Sequence, residues 1–173
     1  DEQGRDLFSR LLFGGRISLF IGLARIAVSY PLGMLAGGIS GYFGGTIDAV
    51  IMRLVEVLMT IPGIYLLIAL ASVIPDGLSS AQTFLIIVLI TSLISWAGLA
   101  RVVRGQVLSI KEQEFVQAAN AMGANPLYII VRHILPQTAT YIIISATLAV
   151  PGFIIAESVL SLIGLGIQAK DPS

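Results

Sequence analysis

The chain contains no cysteine, which excludes disulfides, thiolate metal sites and cysteine nucleophiles outright. It is also poor in charge. Asp, Glu, Lys and Arg make up 12% of its 173 residues, against about 25% in an ordinary soluble domain, so lipid in place of water is expected over much of the surface. Ten basic residues balance ten acidic ones, which leaves no bulk charge for a nucleic-acid-binding face. Neither a basic stretch nor a short apolar run follows Asp1 as in a signal peptide, and the expectation is an internal piece of a longer protein. No internal repeat and no low-complexity linker divides the chain. What it has in abundance is apolar residues, 56% of the total, with a mean hydropathy of +0.94. One all-α membrane domain is the reading.

A spanning helix needs about 20 mostly apolar residues at about 1.5 Å rise each. Four segments qualify, over about Ile17 to Phe43, Val50 to Ile74, Phe84 to Val103 and Thr138 to Ile155. Gly44-Gly45 breaks the first from the second, with Thr46 expected as N-cap, and Pro75-Asp76-Gly77 supplies a later turn. Four crossings place residues 44–49 and 104–137 on one side. Arg53, Arg101, Arg104, Lys111 and Arg132 accompany them, against Arg5, Arg10, Arg16 and Lys170 opposite. The positive-inside rule then puts 104–137 in the cytoplasm.

Gly33, Gly37, Gly41 and Gly45 recur every four residues in the first segment and so share one helical stripe. Such a stripe lets another backbone approach closely, either for packing within the chain or as a sliding surface between moving helices. Arg25, Arg53, Glu56 and Glu157 lie in or beside spans, where a charge costs at least about 2.5–3.5 kcal/mol and must face protein, water or the interface. Arg53 and Glu56 are spaced to pair on one face, and Glu157 either lines a substrate path or caps a helix contact. Arg25 lies about 12 Å along the helix from Ile17, deep enough to call for a neighbouring subunit or a cavity. Pro62-Gly63 and Pro151-Gly152 interrupt the second and fourth segments and are expected to kink them. Arg53, Glu56, Pro62 and Glu157 are the candidate translocation-path residues.

The segment Glu114–Gln137 is polar and charged between apolar runs. Phe115, Ala118, Ala119 and Met122 have helical spacing, Gly123 suits a left-handed C-cap, and Asn125-Pro126 suits the start of a second helix. Leu127, Ile130, Val131 and Ile134 form a second stripe, and Pro136 is expected to end it. The second stripe is expected to pack on the membrane domain, leaving the Ala118/Ala119 face free to enter a partner's groove. A helix lying on lipid is the alternative, but the first stripe lacks the Trp, Phe and Lys content such helices favour.

The pattern QAANAMG, nine residues, then HILP resembles the EAA loop of binding-protein-dependent ABC importer permeases: Glu-Ala-Ala, three residues, Gly, nine residues, Ile, any residue, Leu-Pro. Ala118, Ala119, Gly123, Leu135 and Pro136 match; Gln117 stands in place of Glu and His133 in place of Ile. The stretches DEQGRDLFSRLLFGGRIS, GYFGGTIDAVIMRLVE and AESVLSLIGLG resemble permeases of the dipeptide, oligopeptide and nickel group, so the likeness covers essentially the whole chain.

That resemblance implies a type I (MetI-like) importer transmembrane domain with about six spanning helices, of which this chain lacks the first and last. It implies a second homologous permease subunit, two cytoplasmic ABC ATPases that use ATP and Mg, and an extracytoplasmic substrate-binding protein. Phe115, Gln117, Ala118, Ala119, Met122, Gly123 and Pro136 would couple the permease to the ATPases, whose closure rocks the spans between inward and outward openings. This chain itself would bind no cofactor or metal and catalyse nothing. His133 has no second ligand near it in sequence and is expected to make a polar contact at the loop–membrane junction. A secondary transporter or channel without an ATPase is the competing class; it suits broken helices and buried charge but not a loop with an Ala-Ala-Gly face. A membrane enzyme lacks support, since no H-x-x-H, Asp pair or Ser/Lys or Ser/His set lies within a span.

Overall fold

The computed structural model describes residues 7–63, 65, 69 and 80–162, and among them only helices and their connections are found. Helix α1 covers Leu7–Phe43, α2 Gly45–Thr60, α3 Ser80–Ile110, α4 Glu114–Ala121 and α5 Pro126–Ile129. A wide π turn (Ile130–Ile134) and a tight 3-10 turn (Leu135–Thr138) lead without a break into α6, Ala139–Leu162. Three stretches of the described residues are long and apolar enough to cross a bilayer: Gly22–Phe43, Val88–Ile110 and Pro126–Gly152. The fold is the all-α membrane architecture that composition implies.

The glycine stripe explains the central contact. A Cβ on Gly33 would lie 2.9 Å from the Trp96 carbonyl oxygen, one on Gly37 2.5 Å from that of Ala100, and one on Gly41 2.9 Å from that of Arg104. Every fourth residue of α1 thus meets every fourth residue of α3, backbone against backbone, the close approach that small residues permit. Gly45 is not part of it: it has φ 53° and nothing near its Cβ position. Because both series ascend together, α1 and α3 run parallel, which brings Phe43 and Ile110 to the same end. Helix α6 runs the opposite way along α1. Gly38 lies against Ile130 and Leu135, and Tyr30 Oη donates to Ser145 Oγ farther along (3.3 Å).

Several expectations change. Helix α2 starts at Gly44, not at Thr46: Gly44 occupies the N-cap with φ 64° and no side-chain cap, a left-handed conformation that glycine adopts freely. The second expected span does not run helical through Pro62. Helix α2 ends at Thr60 with Ile61 extended (ψ 114°), as the ring of a following proline dictates by pushing its predecessor out of the helical region. Helical backbone resumes beyond the break, at Gly63 and Tyr65. Pro31 and Pro151, by contrast, sit inside α1 and α6. The Pro75-Asp76-Gly77 turn lies outside the described residues.

Candidate functional site

The end of the molecule where α1 stops, α2 starts and α3 stops carries the loop singled out from sequence. Helix α4 closes with the two bonds of a Schellman motif: the Gly123 N–H donates to the Asn120 carbonyl (2.9 Å) and the Ala124 N–H to that of Ala119 (3.2 Å). Gly123 has φ 74°, which supplies the left-handed residue this closure needs. Asn125 then caps the next helix, its Oδ1 accepting from the Leu127 N–H at 2.9 Å, with Pro126 as the first helical residue.

The chain does not stop at Pro136. Lacking an N–H, this residue cannot continue an ordinary helical ladder; the π turn before it and the 3-10 turn around it absorb the missing bond, and helix resumes in α6. Pro136 is therefore a bend in hydrogen-bonding pattern between loop and span.

The apolar faces are also rotated from those expected. In α4 the buried residues are Val116 and Ala119, while Phe115, Gln117, Ala118 and Met122 are exposed, Met122 by 80%. The expected stripe is thus divided: Ala119 packs inward and Ala118 faces out. In the second half, Ile129, Ile130, Ile134 and Leu135 are buried, but Leu127 and Val131 are more than half exposed. The physical reason is a common core. Val116 and Ala119 join Ile129, Ile130, Ile134 and Leu135 around Leu99, Val103 and Val107 of α3. Gln117, where the EAA pattern has Glu, donates through Nε2 to the Lys111 carbonyl (3.0 Å). A carboxylate could only accept, so glutamine here holds the start of α4 in a way glutamate cannot.

Two polar links at this end were not anticipated. The Arg104 guanidinium of α3 grips both carboxylate oxygens of Asp48 in the first turn of α2, and Ser40 of α1 donates to the same carboxylate. Asp48 is partly buried, and the Arg104 hydrogen bonds, with help from Ser40, hold its carboxyl below the ordinary 3.8. The second link is Tyr42 Oη donating to Asn120 Oδ1 at 2.6 Å, joining α1 to α4. The first was within reach of sequence, since Asp48 and Arg104 fall on the same side in the topology and an ion beside the hydrocarbon needs a partner. For Tyr42 and Asn120 no sequence signal existed.

The Asp48 arrangement has a pH signature. A carboxylate whose folded pKa lies below its unfolded value stabilises above the unfolded value and loses that contribution as pH falls through the folded one. Thermal unfolding in detergent is expected to show a loss of stability as pH drops below 3.8, and Asp48→Asn should remove this limb while costing about 1.5–3 kcal/mol at neutral pH. An Asp48→Asn variant that unfolds like the parent at every pH would show the pair to be without energetic consequence.

The remaining sequence candidates are not gathered into one site. Arg53 and Glu56 do pair, at 3.4 Å, but with side chains 81% and 52% exposed. They lie on a face of α2 that also exposes Val50, Leu54 and Val57. Pro62 is exposed just beyond the end of α2. Glu157 belongs to α6, and its side chain lies outside the described residues. Arg25 is half-buried in α1, its carbonyl accepting from Ser29 Oγ (2.8 Å). The expected polar contact of His133 is instead aromatic: the half-buried ring lies edge-on to Tyr128, with centroids 5.5 Å apart. Among the described residues no group of three His, Cys, Asp or Glu side chains could hold a metal.

Residues 29–173 match the family of binding-protein-dependent transport system inner membrane components. The chain belongs to this family. It is 46% identical over 169 residues to the dipeptide transport system permease protein DppC of Bacillus subtilis, covering 98% of this chain and 51% of that protein. It is 44% identical to the oligopeptide transport system permease protein OppC of Haemophilus influenzae (97% and 52%) and 42% identical to OppC of Escherichia coli (97% and 54%). The chain thus spans about half the length of these curated relatives. Family membership and the three apolar helices place it in the inner membrane.

Proposed function

We propose that this chain is the core of a permease subunit in an ATP-driven importer of peptides or nickel complexes, forming half of the translocation pathway, with α4 as the element that ATP-hydrolysing partner subunits grip. The observation that carries the proposal is the geometry of α4. Its inward face, Val116 and Ala119, is anchored in the core, while Phe115, Ala118 and Met122 face outward beside a glycine-terminated turn. A short helix fixed on one side and smooth on the other suits insertion into a groove. Membership in a binding-protein-dependent transport family supports work with ABC partners, which on this reading are a second homologous permease, two cytoplasmic ATPases that use ATP and Mg, and an extracytoplasmic binding protein that makes the first selection of substrate. On this reading residues 1–173 contribute to a single transmembrane domain. The names of the relatives, dipeptide and oligopeptide permeases, support peptides as cargo.

The test is reconstitution of the full-length permease pair with its ATPases and binding protein in proteoliposomes. Peptide-loaded binding protein is expected to stimulate ATP hydrolysis and uptake together, with nickel complexes as the comparison cargo. Uptake that proceeds on an ion gradient with no ATPase subunit present would favour a secondary transporter.

A further inference from the structure

Helix α4 is tethered unevenly. At its start the connection from α3 is only Lys111–Gln113, and Gln117 closes back on the Lys111 carbonyl. Its middle is held by Val116 and Ala119 in the core. At its far end stands Gly123, with a positive φ and open space around its Cβ position, where the chain changes direction through the two backbone bonds of the turn. Three residues before that pivot, Asn120 accepts the Tyr42 hydroxyl at 2.6 Å. The Tyr42 ring is itself braced edge-on by Phe43, centroids 5.3 Å apart at 84°. One residue beyond Phe43, the chain turns at Gly44 into α2, whose first turn is clamped through Asp48 to Arg104 of α3 and to Ser40 of α1.

We propose that Tyr42 is a positioning residue for the docking helix: its bond to Asn120 and the Asp48–Arg104–Ser40 clamp make α4 and the α1–α2 corner one rigid body, so that a displacement of α4 moves α1 and α2 with it. This rests on the reading of α4 as the docked element. The pivot at Gly123 sets the alternative. Without the Tyr42 bond, a pull on α4 would be spent in part in rotation about the glycine, because the side-chain tie from this end of α4 to α1 would be gone.

The test uses the full-length transporter in proteoliposomes. Tyr42→Phe keeps the ring and its packing and removes only the hydroxyl. It should leave thermal stability and copurification of the ATPase intact while lowering peptide uptake per ATP hydrolysed by about fivefold, the ratio expected for loss of one ordinary hydrogen bond. Combining it with Asn120→Ala should cost no more than the larger single effect, because both remove the same link. These 173 residues hold no cysteine; with any cysteine elsewhere in the transporter replaced, Tyr42→Cys and Asn120→Cys can be joined by a short bifunctional maleimide, and the joined protein should regain uptake per ATP relative to the unjoined one. Structural loosening would not be rescued in this ratio. Undiminished coupling in Tyr42→Phe, or cross-linking that blocks uptake, overturns the proposal while docking at α4 stands. Failure of an Ala118→Cys probe to capture the ATPase in the same preparations overturns both.

Discussion

Replacing Ala118 with tryptophan is expected to abolish uptake and leave the fold unchanged. Ala118 is exposed on the outer face of α4 between Phe115 and Met122, so an added ring meets nothing within the chain, and exposed substitutions commonly shift stability by no more than about 0.5 kcal/mol. In a partner's groove of the proposed kind, fitted to the small side of α4, the same ring would prevent seating. Losing a central contact of a helix-in-groove interface costs about 2–4 kcal/mol, roughly 30- to 1,000-fold in affinity. Ala119→Trp provides the contrast. Ala119 is 3% exposed among Val116, Ile129 and Ile130, so tryptophan there should lower thermal stability as well as uptake. Copurification of the ATPase together with an unfolding curve for each variant separates the two. Equal unfolding losses in both would mean that the outward assignment of Ala118 is wrong.

Gly37→Leu is expected to prevent accumulation of folded protein. Even the Cβ atom would stand 2.5 Å from the Ala100 carbonyl oxygen and 3.0 Å from the Arg104 nitrogen. Both are main-chain atoms in a helix and cannot swing aside. Overpacking in yielding surroundings costs about 1–3 kcal/mol; here α1 and α3 must separate along the stripe, with the loss of the Gly33 and Gly41 contacts as well. Gly105→Ala is the control. It lies in α3 with nothing within 4 Å of its Cβ position, and an alanine there should be neutral or stabilising by up to about 1 kcal/mol through helix propensity alone. Detergent-extracted yield and midpoint of thermal unfolding measure both, and a well-folded Gly37→Leu protein would refute the close backbone contact.

The local chemistry of this fold was open to reading in advance where one residue type dictates one conformation. Gly123 and Asn125-Pro126 produce the turn expected of them because left-handed backbone, an amide cap and a proline at the first helical position each have a specific cause. The small-residue stripe from Gly33 to Gly41 likewise announced an intimate helix contact. Its partner was not readable, since α3 meets the stripe with main-chain carbonyls and with Leu99, Val103 and Val107, apolar residues of a kind that every span carries. Rotation of the loop faces was not legible because both short helices carry apolar residues on adjacent faces, and the choice of Val116 over Phe115 and of Ile129 over Leu127 is made by packing against Leu99, Val103 and Val107 of α3. The end of α2 before Pro62 was misjudged as a kink, since whether a proline bends or stops a helix depends on tertiary support; Pro31 and Pro151 are retained inside helices. Tyr42 and Asn120 are 78 residues apart, and only the completed fold brings them together.

Proximity between Ala118 and the nucleotide-hydrolysing subunit tests the central claim most directly. A single cysteine at Ala118, with any cysteine outside these 173 residues replaced, should form a cross-link to the ATPase in membranes containing the assembled transporter, and should be protected by that subunit from a membrane-impermeant thiol reagent applied at the cytoplasmic face. Reaction with the same reagent from the outer face of intact cells, with no ATPase captured, would contradict both the sidedness of the loop and its role as the site of docking.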